Sequence, residues 1–134
     1  MCDFEFRAKD CASKEWRYGF YSMGINPDSG EQTAYIQTVN GDGTFGETVI
    51  VDKNTVGVWI GKKDKTGRRI YTDDILRMRM SIGYAVGYVT FESDNGAFVL
   101  RNDRDSWSCG IKGGMSTEIM GNLHDTPELV EGAA

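Results

Sequence analysis

Hydrophobic and polar positions along this chain alternate with a period of two in several short runs, and turn residues separate the runs. In Leu76-Arg77-Met78-Arg79-Met80 an extended backbone puts three apolar groups on one face and two arginines on the other. That segment is expected to be a strand with one face in the core and one in water. Ala85, Gly87, Val89 and Phe91 alternate with Val86, Tyr88 and Thr90, so both faces are largely apolar or aromatic. A central strand is expected there, with Phe91 turned inward. Asp94-Asn95-Gly96 supplies residues that tolerate positive φ, so it should join this strand to Ala97-Phe98-Val99-Leu100 as an antiparallel hairpin. By the same criteria strands are predicted over 16–21, 34–39, 47–51, 56–60, 75–80, 84–92, 97–101 and 118–120.

Helical periodicity is scarce: no window of a dozen residues keeps apolar positions at i, i+3, i+4 and i+7 without a glycine interrupting. The tail is the exception. In Asp125-Thr126-Pro127-Glu128-Leu129-Val130-Glu131-Gly132, Thr126 suits the cap, Pro127 the first helical position and Glu128 the positive end of the dipole, while Gly132 suits the stop. One short helix over 126–131 is predicted, and Ala133 and Ala134 should fray. Seventeen glycines against two prolines fit many tight turns between short strands. The fold class expected is therefore mainly β: a small antiparallel barrel-like or strongly bent sheet with a short C-terminal helix.

A chain of 134 residues, with no internal repeat, low-complexity tract or linker, is expected to form one domain over 1–134. At that size about two thirds of the extended chain's surface could be buried, so no disulfide is needed to hold a core. Cys2, Cys11 and Cys109 are odd in number and far apart, with no C-x-x-C pair for zinc or disulfide exchange. Incidental thiols in a reducing compartment are the expectation. The start, Met-Cys-Asp-Phe-Glu-Phe-Arg, lacks the basic and apolar regions of a signal peptide, and no apolar run approaches the roughly 18 residues of a membrane span. A cytoplasmic protein with no membrane partner is expected.

The formal net charge is −5, but it is unevenly placed. Segment 62–79 holds seven basic and three acidic side chains, and the remainder holds eight basic and seventeen acidic ones. Most such runs are solvated faces. If this one binds a partner or a nucleic acid, the contact residues are Lys62, Lys63, Lys65, Arg68 and Arg69 from a glycine-containing turn. Arg77 and Arg79 on the polar face of the next strand would extend it.

Several patterns that resemble chemistry fail on context. Gly41-Asp42-Gly43-Thr44-Phe45-Gly46 matches G-x-G-x-x-G, yet the β-branched run Thr48-Val49-Ile50-Val51 follows in place of a helix, so a hairpin turn is expected. Gly110-Ile111-Lys112-Gly113-Gly114 lacks the phosphate-loop signature and reads as a flexible loop. His124 is the only histidine and adjoins the tail helix, which suits a surface or capping role. The acids in Asp73-Asp74 and Asp103-Arg104-Asp105-Ser106 suit turns and salt bridges better than a metal site. Trp16, Trp59, Trp107 and six tyrosines could form a base-stacking platform, but a small β domain needs such volume for its core. No catalytic residue, metal site or cofactor is predicted, and an enzyme would have to gather Asp73, Asp105, His124 or Cys109 in a deep pocket.

Four blocks resemble the YopX family. Phe6-Arg7-Ala8-Lys9-Asp10 is similar to the family's opening F-R-A-W-D, with lysine in place of tryptophan. From Val56 to Leu76, the residues Gly61, Lys63-Asp64-Lys65, Gly67, Ile70-Tyr71 and Asp74-Ile75 follow the family pattern. There Val58, Ile60 and Lys62 stand for glutamine, threonine and leucine, and Asp73 stands for a glycine. Aspartate tolerates left-handed backbone better than most residues, so the turn at Asp73 should survive. Gly87-Tyr88-Val89-Thr90-Phe91 resembles the family's G-x-V-x-F strand, and 118–123 with Pro127-Glu128-Leu129 its closing blocks. The resemblance implies a small β fold of phages, prophages and the bacteria carrying them, with no assigned catalysis. The function expected is a non-enzymatic accessory module binding a host or phage protein. A nucleic-acid binder using segment 62–79 is the alternative, and homo-oligomers are possible.

Overall fold

A computed structural model describes residues 5–131. Its contacts divide the chain into two compact units, with the boundary between Val58 and Trp59. Eleven strands are present among the described residues: β1 (Phe6–Lys9), β2 (Trp16–Ile25), β3 (Gln32–Val39), β4 (Phe45–Val51), β5 (Gly57–Lys63), β6 (Arg69–Tyr71), β7 (Asp74–Met80), β8 (Gly83–Glu92), β9 (Ala97–Asn102), β10 (Trp107–Gly110) and β11 (Thr117–Asn122). One helix, α1 (Glu128–Glu131), follows them. The predicted class holds: the protein is mainly β, every ladder is antiparallel, and the helix is short and C-terminal. Neither sheet closes into a continuous barrel.

In the first unit the strand order is β4-β3-β2-β1, and β1 then pairs with the opening residues of β5 through Phe6↔Val58 and Arg7↔Gly57. The sheet is strongly bent, because an isolated bridge between Asp10 and Val51 returns the end of β1 to the end of β4. Its inner face buries Ala8, Ala34, Ile36 and Val51, with Phe6, Tyr21, Val49 and Val56 packed against them. The G-x-G-x-x-G stretch is a hairpin turn, as its context implied. The Asn40 N–H donates to the Thr44 carbonyl at 2.8 Å and Gly43 has φ 87°. Gly46 is fixed by close approach at the irregularity that follows, where a Cβ would lie 2.3 Å from the Thr38 hydroxyl oxygen.

In the second unit the order is β10-β9-β8-β7-β11, with the remainder of β5 and β6 as a separate hairpin. Leu76, Met78, Val89 and Leu100 from the inner face of this sheet meet Ile70 and Ile111 in the core. The alternation in β7 is realised: Leu76 and Met78 are buried while Arg79 is exposed. β8 is the middle strand, and it joins β9 with Glu92 opposite Ala97. Phe91, expected inward, is 52% exposed. It keeps the parity of buried Val89 but stands beyond the edge of the core, where its ring meets Phe98 edge to face at 5.3 Å.

β1, β6 and β10 were not predicted, since three or four residues are too few to show alternation. The helix is shorter than 126–131: the Thr126 hydroxyl, instead of capping it, accepts from the Asn122 N–H at 3.1 Å and donates to the Asn122 carbonyl. Gly132, Ala133, Ala134 and Cys2 lie outside the described residues. The 110–114 segment is pinned more firmly than a flexible loop, because Ile111 is buried and its carbonyl receives the Lys62 ammonium.

Candidate functional site

The most specific block of the sequence is built around one buried carboxylate. Asp64 is 4% exposed at the head of the turn between β5 and β6. Its Oδ1 accepts from the Thr66 N–H at 2.9 Å, the Thr66 hydroxyl at 2.8 Å and the Arg68 N–H at 3.0 Å. Its Oδ2 accepts from the Ile119 N–H at 3.2 Å, and the Lys65 N–H donates to the Thr117 carbonyl at 2.9 Å. The turn therefore covers part of the free edge of β11, satisfying backbone groups that an edge strand would leave open. Burial pushes the Asp64 carboxyl up, but the bonds from Thr66, Ile119 and Arg68 outweigh it and hold the group below its ordinary value.

The seven cations of 62–79 are divided by this geometry. Lys65, Arg77 and Arg79 line one open depression of about 250 Å³ with Tyr84, Met115, Ser116, Thr117 and Glu118. Lys65 is 3.0 Å from the Glu118 carboxylate, and the Arg77 guanidinium lies 3.9 Å from the Tyr84 ring centroid. Lys62 reaches the Ile111 carbonyl instead, and the Arg69 guanidinium stacks on Trp59 at 4.3 Å. Lys63 and Arg68 are exposed and make no ion pair among the described residues.

A second surface, missed in the sequence, lies on the outer face of the first sheet. Strand alternation and register put Tyr18 and Phe20 of β2, Val39 of β3 and Phe45 and Ile50 of β4 on that face. All five are exposed, Phe20 by 40% and Phe45 by 61%, and the two phenyl rings meet edge to face at 6.1 Å. At the β1 side Trp16 is stacked by the Arg7 guanidinium at 4.4 Å. The available signal was that Trp16, Tyr18 and Phe20 fall on one face of a single long strand and Tyr21 and Met23 on the other, which gives β2 more apolar surface than one core can cover.

The remaining candidates have the following surroundings. Asp73 has φ 70°, so aspartate does occupy the left-handed position, and its carboxylate lies 2.9 Å from His124 Nε2. Asp74 is buried and accepts from the Tyr71 N–H at 2.8 Å. Asp103 accepts from the Tyr88 hydroxyl at 2.7 Å; burial first, then that bond, pushes the Tyr88 phenol up. Cys109 packs against the second core, where burial pushes its thiol up against the opposing influence of Lys112, disfavouring the thiolate. Cys11 is exposed. Asp105 lines a different depression, with Tyr84 and Val130, from the Asp73–His124 pair. Among the described residues no three His, Cys, Asp or Glu side chains form a metal-holding group, and no helix is long and apolar enough to cross a membrane.

Comparison with known proteins agrees with the sequence blocks. Among solved structures, protein EF1440 from Enterococcus faecalis is similar at 21% identity, with a TM-score of 0.52 over 95% of this chain and 97% of that one. Protein yopX from Bacillus subtilis is similar at 19% identity, with a TM-score of 0.47 over 93% and 96%. No curated protein matches the chain. The family model described as YopX protein matches residues 5–131, the whole of the described structure from β1 to α1, and the chain belongs to the YopX family.

Proposed function

We propose that this protein is a non-enzymatic accessory module, of the kind carried by phages and prophages, that binds a host or phage protein through the outer face of its first sheet. The observation that supports this is the group Tyr18, Phe20, Val39 and Phe45, exposed at one end of that face, with Ile50 exposed further along β4. Contiguous apolar patches of this kind on soluble domains mark protein contacts more often than isolated exposed residues do, and aromatic side chains are the usual anchors. Phe20→Asp with Phe45→Asp replaces two exposed rings, so the variant should stay folded by circular dichroism. It should lose the protein that the wild type captures from a host lysate. Equal capture by both proteins would refute the assignment, and light scattering that shows a wild-type dimer dissociated by the same changes would make the partner a second copy.

Nucleic acid on segment 62–79 is the second reading, favoured by Lys63, Arg68, Arg77 and Arg79, none of which has a carboxylate partner among the described residues. The net charge of −5 opposes it. A salt titration against short DNA and RNA separates the two, since phosphate contacts give a steep salt dependence. Lys63→Glu with Arg68→Glu and Arg79→Glu, all exposed changes, should then abolish binding while the domain stays folded.

A further inference from the structure

The depression at β7 and β11 has features that a solvated face does not need. Arg77 and Arg79 leave the same face of β7 two residues apart, a spacing of roughly 7 Å. Across the ladders Arg77 stands opposite Glu118 of β11 and Arg79 opposite Tyr84 of β8. Lys65 enters from the turn that Asp64 holds rigid, and Met115 and Ser116 complete the wall. The one carboxylate in the lining, Glu118, is paired with Lys65 at 3.0 Å. Neither arginine has a carboxylate among the described residues. Stacking on Tyr84 orders the Arg77 guanidinium through its face and leaves its in-plane N–H groups available.

We propose that this depression is a binding site for a phosphate monoester. Three cations and one carboxylate give the lining a net charge of +2, which matches the charge of about −1.5 to −2 that a monoester carries at neutral pH. Two guanidinium forks present the planar donor geometry that phosphate oxygens accept bidentately. At about 250 Å³ the space falls below the range of drug-sized pockets, so it suits the phosphate with a small attached group. The Tyr84 ring, 60% exposed, and the Met115 side chain, 83% exposed, flank the place where that group would lie. A nucleic-acid strand is a poorer match. Its diesters carry one charge each, and Lys62 and Arg69, which would extend a track, are engaged at the Ile111 carbonyl and at Trp59.

This site is independent of the protein-binding face and is tested without it. The full-length protein is titrated with O-phosphotyrosine, O-phosphoserine and inorganic phosphate at low ionic strength, with amide chemical shifts as the readout. Saturable binding of the phosphoamino acids is expected, with shifts centred on residues 77–79, 84 and 115–118. Arg79→Gln is an exposed change and should weaken binding at least tenfold, Arg77→Gln should do the same, Tyr84→Leu should weaken it about threefold, and Arg68→Gln should leave it unchanged. The proposal is overturned if wild type gives no saturable response, if folded Arg79→Gln binds as wild type does, or if Arg68→Gln is equally damaging. It is also overturned if an unphosphorylated oligonucleotide competes equally per phosphate, which would make the surface a general polyanion contact.

Discussion

Removing the Asp64 carboxylate should loosen the β5–β6 turn and uncover β11 together. Asp64→Ala deletes the acceptor for the Thr66 N–H, the Thr66 hydroxyl, the Arg68 N–H and the Ile119 N–H. Hydrogen bonds to a charged acceptor contribute about 1.5–3 kcal/mol each, but a sum over four overstates the loss. Thr66 and Arg68 are exposed and their N–H groups can turn to water. The Ile119 N–H is in a half-buried strand, and leaving it unpaired costs about 1–3 kcal/mol. Loss of a side-chain acceptor at a backbone turn adds about 1 kcal/mol, by analogy with a helix cap. Urea unfolding at pH 7 should therefore show Asp64→Ala less stable by about 2–4 kcal/mol with an unchanged m value. Asp64→Asn retains one acceptor and should lose about 1–3 kcal/mol. The folded-state pKa of Asp64 lies below its ordinary value of 3.8, so its contribution is full above that value and disappears as pH falls through the lower, folded one. The gap between wild type and Asp64→Asn should consequently narrow below about pH 4. A gap under about 0.5 kcal/mol at pH 7, or one that widens in acid, would refute the role assigned to this residue.

Phe91→Ala should cost about 1–2 kcal/mol in the same assay, reflecting one aromatic contact and partial burial, against about 2–5 kcal/mol for Leu100→Ala in the core; equal losses would contradict the exposure of Phe91. Gly46→Ala forces a Cβ toward the Thr38 hydroxyl and should destabilise by about 1–3 kcal/mol, with partial rescue by Thr38→Ala; no rescue would show that the clash is not the cause. Asp73→Gly relieves a left-handed backbone at a position where the family pattern has glycine, and loses the His124 contact; chemical denaturation should place it within about 1 kcal/mol of wild type, whereas Asp73→Val should be clearly worse.

The parts of the fold that could be read in advance are those where alternation and turn chemistry coincide. The β7 pattern gave both its faces correctly, and the β-branched run after Gly46 distinguished a hairpin from a nucleotide loop. Four-residue β1 and three-residue β6 are defined by their partners, Trp16 to Gly19 for one and Trp59 and Lys63 for the other, so no local signal marks them. Phe91 shows the limit of periodicity. Alternation fixes which side of the sheet a residue faces, while the extent of the neighbouring layer decides whether that side is covered, and the layer above β8 ends near Val89.

The candidate site shows the same division more sharply. Most of the residues that carry the family resemblance turn out to hold the backbone together: Asp64 and Gly67 shape the turn, Ile70 and Tyr71 are buried, and Asp74 accepts from the Tyr71 N–H. Such residues identify a fold because their roles depend on neighbours that only this topology supplies. They are poorly suited to meet a ligand, since their polar atoms are already used. The surfaces with donors or apolar area to spare, Arg77 and Arg79 beside Tyr84 and the outer face at Phe20 and Phe45, lie almost wholly outside those blocks. A charge count over 62–79 grouped seven cations because they are close in sequence, yet the turn sends Lys62 to Ile111 and Arg69 to Trp59 and leaves Lys65, Arg77 and Arg79 around one depression. In this chain, therefore, the motif specifies the scaffold, and binding chemistry must be sought among the side chains that the scaffold leaves uncommitted.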